Sequence, residues 1–234
     1  MTFNSNISIA IIAEDMVEIV IGDKDEGIKN SELNWHLADH LLKNQNDIEA
    51  IASEEMISIR SKVIPIDTQK IEIGISTFDF SSMRKIDHQL EIPICYENTF
   101  GIDLDCISKQ LNLSTKEIIE VHSSTNYEVK AIGFTPGFAY LGDLDKRLFV
   151  PRLSKPRLNT PIGSVAIAND RTGVYSLGGP GGWPIIGATP LNLFDPKGSH
   201  SMKLIPGTKV SFSPISKEEY KTMRNKKIEW QSRF

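Results

Sequence analysis

The sequence predicts an α+β chain in two parts: a small N-terminal α/β sandwich, then a domain built mainly of strands. Three observations predict it. Short runs of branched residues flank one helical pattern in the first third of the chain. Two helical segments then lead into a long region without helical periodicity. Within that region, Ile132 to Phe194 is crowded with Gly and Pro yet keeps regularly spaced aromatic and branched residues. A disordered linker of that Gly and Pro content would lack apolar partners to offset chain entropy. A helix would not tolerate so many breakers. Compact β structure, with turns set by residue type, is what remains.

Each element follows from its pattern. Ile7–Ile12 and Met16–Ile21 are short and β-branched, separated by Ala13-Glu14-Asp15, which reads as a hairpin. Ser31 to Leu42 carries Leu33, Leu37, Leu41 and Leu42 at helical spacing, with Ser31 as N-cap. Met56–Ile66 and Ile71–Phe78 read as two further strands. The charged stretch Ser81–Gln89 reads as the linker, which places the domains at residues 1–85 and 86–234. Leu90–Tyr96 alternates like a strand, with Pro93 marking an edge or bend. Asp103–Leu111 reads as a helix. Ser114-Thr115-Lys116-Glu117 is a capping box opening a second one over Ile118, Ile119 and Val121. From Tyr127 to Pro214 the pattern is all β, and Ser216-Lys217-Glu218-Glu219 caps a C-terminal helix.

Composition narrows the function. The 234 residues carry a formal net charge of -4, which argues against a general polyanion binder such as a nucleic-acid protein. Two cysteines, Cys95 and Cys106, make neither a disulfide framework nor a zinc quartet, and fit reduced thiols in a cytoplasmic protein. The apolar run Ile7–Ile12 is far too short to span a bilayer, so no membrane role is expected.

Several motifs invite chemistry. Gly178-Gly179-Pro180-Gly181-Gly182-Trp183 lacks the Lys and the following helix of a phosphate loop, and its spacing fails the dinucleotide fingerprint. It reads as a tight turn that brings Trp183 to a cleft or to the core. In Gly133-Phe134-Thr135-Pro136-Gly137-Phe138-Ala139-Tyr140, Pro136-Gly137 fits a type II turn that folds Phe134 and Phe138 together. These rings form either core or the wall of a pocket for a planar ligand. Arg147, Arg152, Arg157 and Arg171 surround the Pro-bounded segment 151–161; neighbouring prolines pre-order Arg152 and Arg157, the preferred anion contacts. His122 ends its helix, where the macrodipole stabilises it; as a general base it would need a nucleophile in reach. Ser164 lies outside any nucleophile-elbow motif. His36 and His40 share a helical face but lack a zincin Glu, so no metal site is assigned.

These residues carry a resemblance. Ile94-Cys95-Tyr96, Val121-His122-Ser123, Gly133 to Gly142, Pro151-Arg152, Pro156-Arg157, Pro161 to Val165, Thr172 to Tyr175 and Pro180 to Leu191 resemble the carboxyltransferase-domain subdomain 1 family. Its members include the B component of bacterial ATP-dependent 5-oxoprolinase, the sporulation-kinase inhibitor KipI and the allophanate hydrolase subunit 1 proteins. The resemblance implies a cyclophilin-like β-barrel for the second domain. It implies one chain of a heteromeric hydrolase, working with a homologous C-type partner. The pair would use ATP, with Mg, to activate the amide substrate 5-oxoproline for ring opening to glutamate by an A-type partner. The alternative is a KipI-like inhibitor that docks on a sensor histidine kinase and blocks autophosphorylation. Candidate catalytic residues are His122, Arg157 and Ser164. Candidate substrate- or partner-binding residues are Phe134, Pro136, Phe138, Tyr140, Arg152, Tyr175, Gly181, Gly182, Trp183 and Thr189. The chain departs from the family pattern at Ala188, usually Arg, and at Gly179, usually Ser. Trp183→Ala and Arg157→Ala are expected to impair function while sparing the fold.

Overall fold

Alternating branched residues pair β1 (Ile7–Ala13) antiparallel with β2 (Met16–Ile21), the expected hairpin. The computed structural model describes residues 7–22, 30–81, 83, 86–194 and 204–225. The chain divides into two units, Met1–Ile86 and Asp87–Phe234. Of the expected linker, Ser82, Arg84 and Lys85 lie outside the described residues, as does any continuation of the C-terminal helix past Asn225.

In the first unit, α1 (Asn30–Asn44), β3 (Ile48–Ala52), β4 (Ile57–Ser61) and α2 (Thr68–Ser76) follow the hairpin, and the four strands form one antiparallel sheet in the order β1-β2-β4-β3. Leu33, Leu37 and Leu41 of α1 and Ile71 and Ile75 of α2 bury against Val17, Ile19, Ile57 and Ile59 of the sheet. Three expectations change. Ser31 lies inside α1 rather than capping it. β3 had no reading of its own. Ile71–Phe78 is not a strand: the period-two run Ile71-Glu72-Ile73-Gly74-Ile75 is helical, capped by Asp67, whose side chain accepts from the Lys70 amide at 3.2 Å. Helical spacing buries Ile71 and Ile75 and leaves Ile73 62% exposed. Gly74 permits the crossing, since a Cβ there would sit 2.5 Å from Leu41.

The second unit is a barrel-like sheet of seven strands. β5 (Gln89–Ile94) leads to α3 (Leu104–Leu111) and α4 (Thr115–Ser124), the latter opened by the expected Ser114–Glu117 capping box. Then come β6 (Tyr127–Ile132), β7 (Ala139–Gly142), β8 (Arg157–Thr160), β9 (Ser164–Ala168), β10 (Arg171–Val174), β11 (Gly179–Gly181), β12 (Ile185–Ala188) and β13 (Lys209–Pro214). The Ser216–Glu219 box opens α5 (Lys217–Asn225). The large sheet runs β12-β9-β10-β7-β6-β13-β5, antiparallel except for the parallel β13–β5 pair, while β8 and β11 form a separate two-stranded ribbon. Its two edge strands meet at Cys95 and Ala188, whose amides and carbonyls exchange hydrogen bonds of 2.9 and 3.0 Å. That bridge closes the barrel.

Inside lie Ile92, Ile94, Val129, Leu141, Val165, Ile167 and Val174, with Leu104, Ile107, Ile118 and Val121 from the helices. β9 is buried on both faces, so it reads Ser-Val-Ala-Ile-Ala without polar alternation. Val165 and Ile167 face the barrel core, whereas Ala166 and Ala168 join an outer cluster with Phe138, Tyr175, Trp183 and Ile185. Closure is tight: a Cβ on Gly187 would lie 2.7 Å from Ile94 and 2.8 Å from the Cys95 carbonyl. Gly187→Ala should therefore cost about 1–3 kcal/mol, the usual penalty of overpacking, measured as a lower urea midpoint; an unchanged midpoint would mean that the closing strands give way freely.

Candidate functional site

On the outer face of the barrel, Tyr140 of β7, with Phe134 and Phe138 in the turn before it, gathers with Tyr175, just past β10, and Trp183 of the Gly loop. The turn Thr135–Phe138 has the expected form, with the Phe138 amide donating to the Thr135 carbonyl at 3.0 Å and Gly137 at φ +75°. Phe138 becomes the hub. Its ring meets Phe134, Tyr140, Tyr175 and Trp183 edge-on at centroid distances of 5.6, 4.9, 5.2 and 5.7 Å, arrangements worth about 0.5–1.5 kcal/mol each beyond area burial. Gly173, opposite Tyr140, makes room for it, since a Cβ there would come within 3.0 Å of the Phe138 ring. Gly181 does the same for Tyr175, whose hydroxyl would lie 2.5 Å from an added Cβ.

Between these rings and the β8–β11 ribbon opens a cleft of about 270 Å³. Phe134, Phe138, Tyr140, Tyr175, Trp183, Arg152, Gly181 and Gly182 line it, together with Leu153, Pro156 and Pro180. The Leu153 amide donates to the Gly182 carbonyl at 2.7 Å, tying the Pro151–Pro156 segment across the Gly loop. Burial pushes the Tyr140 phenol up while Arg152 pulls it back, and burial likewise raises Tyr175. Both remain protonated donors near neutral pH. A groove of about 530 Å³ in the first unit, lined by Ile7, Ile9, Ile73, Ile75, Glu72 and Ser76, is larger. It gathers none of the candidate residues, so the aromatic cleft is the candidate site.

Other candidates fall elsewhere. His122 is fully buried inside the barrel, its ring stacked on Phe212 at 4.7 Å and bonded to the Tyr96 hydroxyl at 2.7 Å and to Thr172 Oγ1 at 3.0 Å. A ring sealed from substrate cannot act as its base; here it joins α4 to the barrel. Ser164 is buried away from the cleft, and its hydroxyl donates to the Pro161 carbonyl at 2.8 Å. Arg157 does not line the cleft: it donates to the Asp103 carboxylate at 2.5 Å, and the other Asp103 oxygen accepts from the Ile185 amide at 2.6 Å. Thr189 is buried, accepting from the Leu191 amide. Pro136 shapes the turn, its carbonyl accepting from the Ser176 hydroxyl, and does not line the cleft. Sequence reading passed over Leu153, Pro156 and Pro180; their place beside Arg152, Arg157 and Gly181 was the available signal. It had none for Asp103, which lies 54 residues from Arg157.

The cleft does not fit a triphosphate. It holds one Arg, and its Gly loop ends a strand rather than opening a helix whose amides could cradle phosphate. Among the described residues no group of three or more His, Cys, Asp or Glu side chains could hold a metal ion.

With this geometry in hand, the family is clear. Residues 8–204 match the model of the carboxyltransferase domain, subdomain C and D, and the chain belongs to that family. Two curated relatives are, by name, B subunits of 5-oxoprolinase. The protein from Escherichia coli O157:H7 is 39% identical over 184 residues, covering 77% of this chain and 84% of the relative. That from Bacillus subtilis is 44% identical over 142 residues, covering 61% and 58%. Among solved structures, TTHA0988 matches with a TM-score of 0.71 at 26% identity, and this chain spans 39% of that longer protein. The Kluyveromyces lactis urea amidolyase matches with a TM-score of 0.70 at 16% identity, a likeness of fold, over 97% of this chain and 16% of that one.

The burial of these groups has measurable consequences. Burial lowers the His122 pKa to about 3 from its ordinary 6.5, so the folded state holds the ring neutral. The associated stability is complete above the unfolded value and is lost as pH falls from 6.5 toward about 3, by up to about 1.4 kcal/mol per pH unit. Urea midpoints across that range should fall with this slope, and a ring titrating by NMR at its ordinary value would contradict it. Contrary to the sequence-based expectation, Trp183→Ala and Arg157→Ala should both weaken the fold. Trp183 is only 7% exposed, and its truncation should cost about 3–5 kcal/mol. Loss of Arg157 strands the largely buried Asp103 carboxylate and should cost about 1–3 kcal/mol. Wild-type melting temperatures for both would show that neither group carries the packing described.

Proposed function

We propose that this chain is the B component of an ATP-dependent 5-oxoprolinase and that the aromatic cleft is its contribution to the active complex. One observation carries the reading: the two Gly-Pro aromatic motifs, Tyr175 and the Pro151-Arg152 segment, all within motifs shared with the family, meet at one small cleft walled by rings and open at an arginine. Relatives that bear the name of that component support it. Phe138 and Trp183 keep water from the floor of the cleft, and the Tyr140 and Tyr175 hydroxyls offer donors to a carbonyl oxygen. A cyclic amide is stable toward water, so ring opening to glutamate, and the ATP that drives it, belong to the assembly with the C-type and A-type partners. A cleft with a single arginine offers little to a triphosphate, which supports a nucleotide site elsewhere in the assembly. The two free cysteines fit a cytoplasmic setting, and no described helix is long and apolar enough to cross a membrane. The kinase-docking alternative has no observation in its favour.

Co-expression with C-type and A-type partners provides the test. The assembled complex should convert 5-oxoproline and ATP to glutamate, and preparations lacking this chain should not. A complex that assembles without turnover would overturn the assignment.

A further inference from the structure

Resting on the function proposed above, we infer that the cleft receives a small carboxylate-bearing lactam ring, not the nucleotide, and that Arg152 is the residue that selects the carboxylate. Size argues first. Pockets for drug-sized ligands run to roughly 300–1,000 Å³, and this cleft, at about 270 Å³, suits something smaller. Its walls are ring faces and edges, which a flat five-membered ring can lie against with little polar surface stranded.

Charge argues second. Of the neighbouring arginines, Arg147 holds both oxygens of Asp145, at 3.0 and 2.7 Å, and Arg157, which does not line the cleft, gives one nitrogen to Asp103 and keeps Nη1 buried without a partner among the described residues. Arg152 is exposed at the rim and makes no ion pair with any described residue. Its fork of donors matches a carboxylate. One cation matches a single carboxylate; a triphosphate calls for several cations and metal ions around its oxygens. The backbone beside Arg152 is tethered, because the amide of Leu153, next in the chain, donates to the Gly182 carbonyl at 2.7 Å. Arg152 lines the cleft together with both phenols.

Phe134 supplies a third argument. It sits at φ +65°, a left-handed conformation costly for a bulky side chain, and is 59% exposed at the mouth. Burial does not account for that strain. The conformation holds the ring edge-on to Phe138 at 5.6 Å and to Tyr175 at 6.3 Å, extending the aromatic wall to the opening.

The test uses the full chain and then the complex. Calorimetric titration should show binding of 5-oxoproline, and of 2-pyrrolidinone, which lacks the carboxylate, at lower affinity. Arg152→Ala should weaken 5-oxoproline binding at least about tenfold, as expected for a lost charge-assisted pair, and leave 2-pyrrolidinone unchanged. Arg152→Lys should restore part of the loss. ATP should not compete, and melting temperatures should match wild type because the side chain is exposed. In the complex, Arg152→Ala should raise KM for 5-oxoproline and leave KM for ATP alone. Equal affinity of wild type and Arg152→Ala for 5-oxoproline, absence of binding at millimolar concentration, or displacement by ATP would each overturn the inference. These outcomes separate from failure of the function itself: an active complex indifferent to Arg152 refutes the inference alone. Arg152-dependent binding by a chain whose complex is inactive refutes the function alone.

Discussion

The reciprocal hydrogen bonds between Cys95 and Ala188 are the constraint on which the second unit depends, because they turn an open seven-stranded sheet into a barrel. An open sheet of this length would leave two unpaired edges, β5 and β12, each a row of free amides and carbonyls. The bridge draws the two edges together at one residue pair and gives the branched residues of β5, β6, β9 and β10 a common interior. It also sets β12, and β12 carries the consequences outward. Ile185 pairs with Ala166, and its amide is held by Asp103, which in turn holds Arg157 at the start of β8. The ribbon that forms one wall of the cleft is thus tied through one carboxylate to the strand that closes the barrel.

The cleft is a product of glycine placement as much as of aromatic residues. Gly173 and Gly181 lie where a Cβ would strike Phe138 or Tyr175, so the rings nest against bare backbone. Five rings then settle edge to face instead of stacking, as their quadrupoles favour. The result is a second apolar cluster on the outside of a barrel whose inside is already filled, which explains why β9 shows no polar face.

Much of this was legible in the sequence, where local chemistry decided the outcome. Pro136-Gly137 specified its turn, Ser114–Glu117 and Ser216–Glu219 their helices, and the Gly-Pro loops pointed to the residues that line the cleft. Reading failed where partners distant in sequence decide. The run around Ile73 alternates like a strand, yet packing on Leu41 through Gly74 makes it a helix. Arg157 looks like an anion contact until Asp103 is brought to it. His122 resembles a general base until Tyr96 and Thr172 enclose it, and Ser164 looks available until the Pro161 carbonyl accepts its hydrogen bond. Pattern shows which residue types are present and which turns they make; whether a polar side chain is spent inside the protein depends on long-range contacts.

The same distinction bears on the two departures from the family pattern. Ala188 sits in the closing bridge, paired with Cys95 and Ser164 and nearly buried, and does not line the cleft. Gly179 pairs with Thr160 at φ +94°, a conformation glycine adopts without strain, with open space where a Cβ would stand. Neither change removes a wall of the cleft or its cation. Ala188 thus belongs to the barrel seam, while the segment from Pro151 to Pro156 supplies both wall and charge to the cleft. Because that segment is pinned by Gly182, and the ribbon beside it is tied through Arg157 and Asp103 to β12, the stability of the barrel and the geometry of the cleft are one problem.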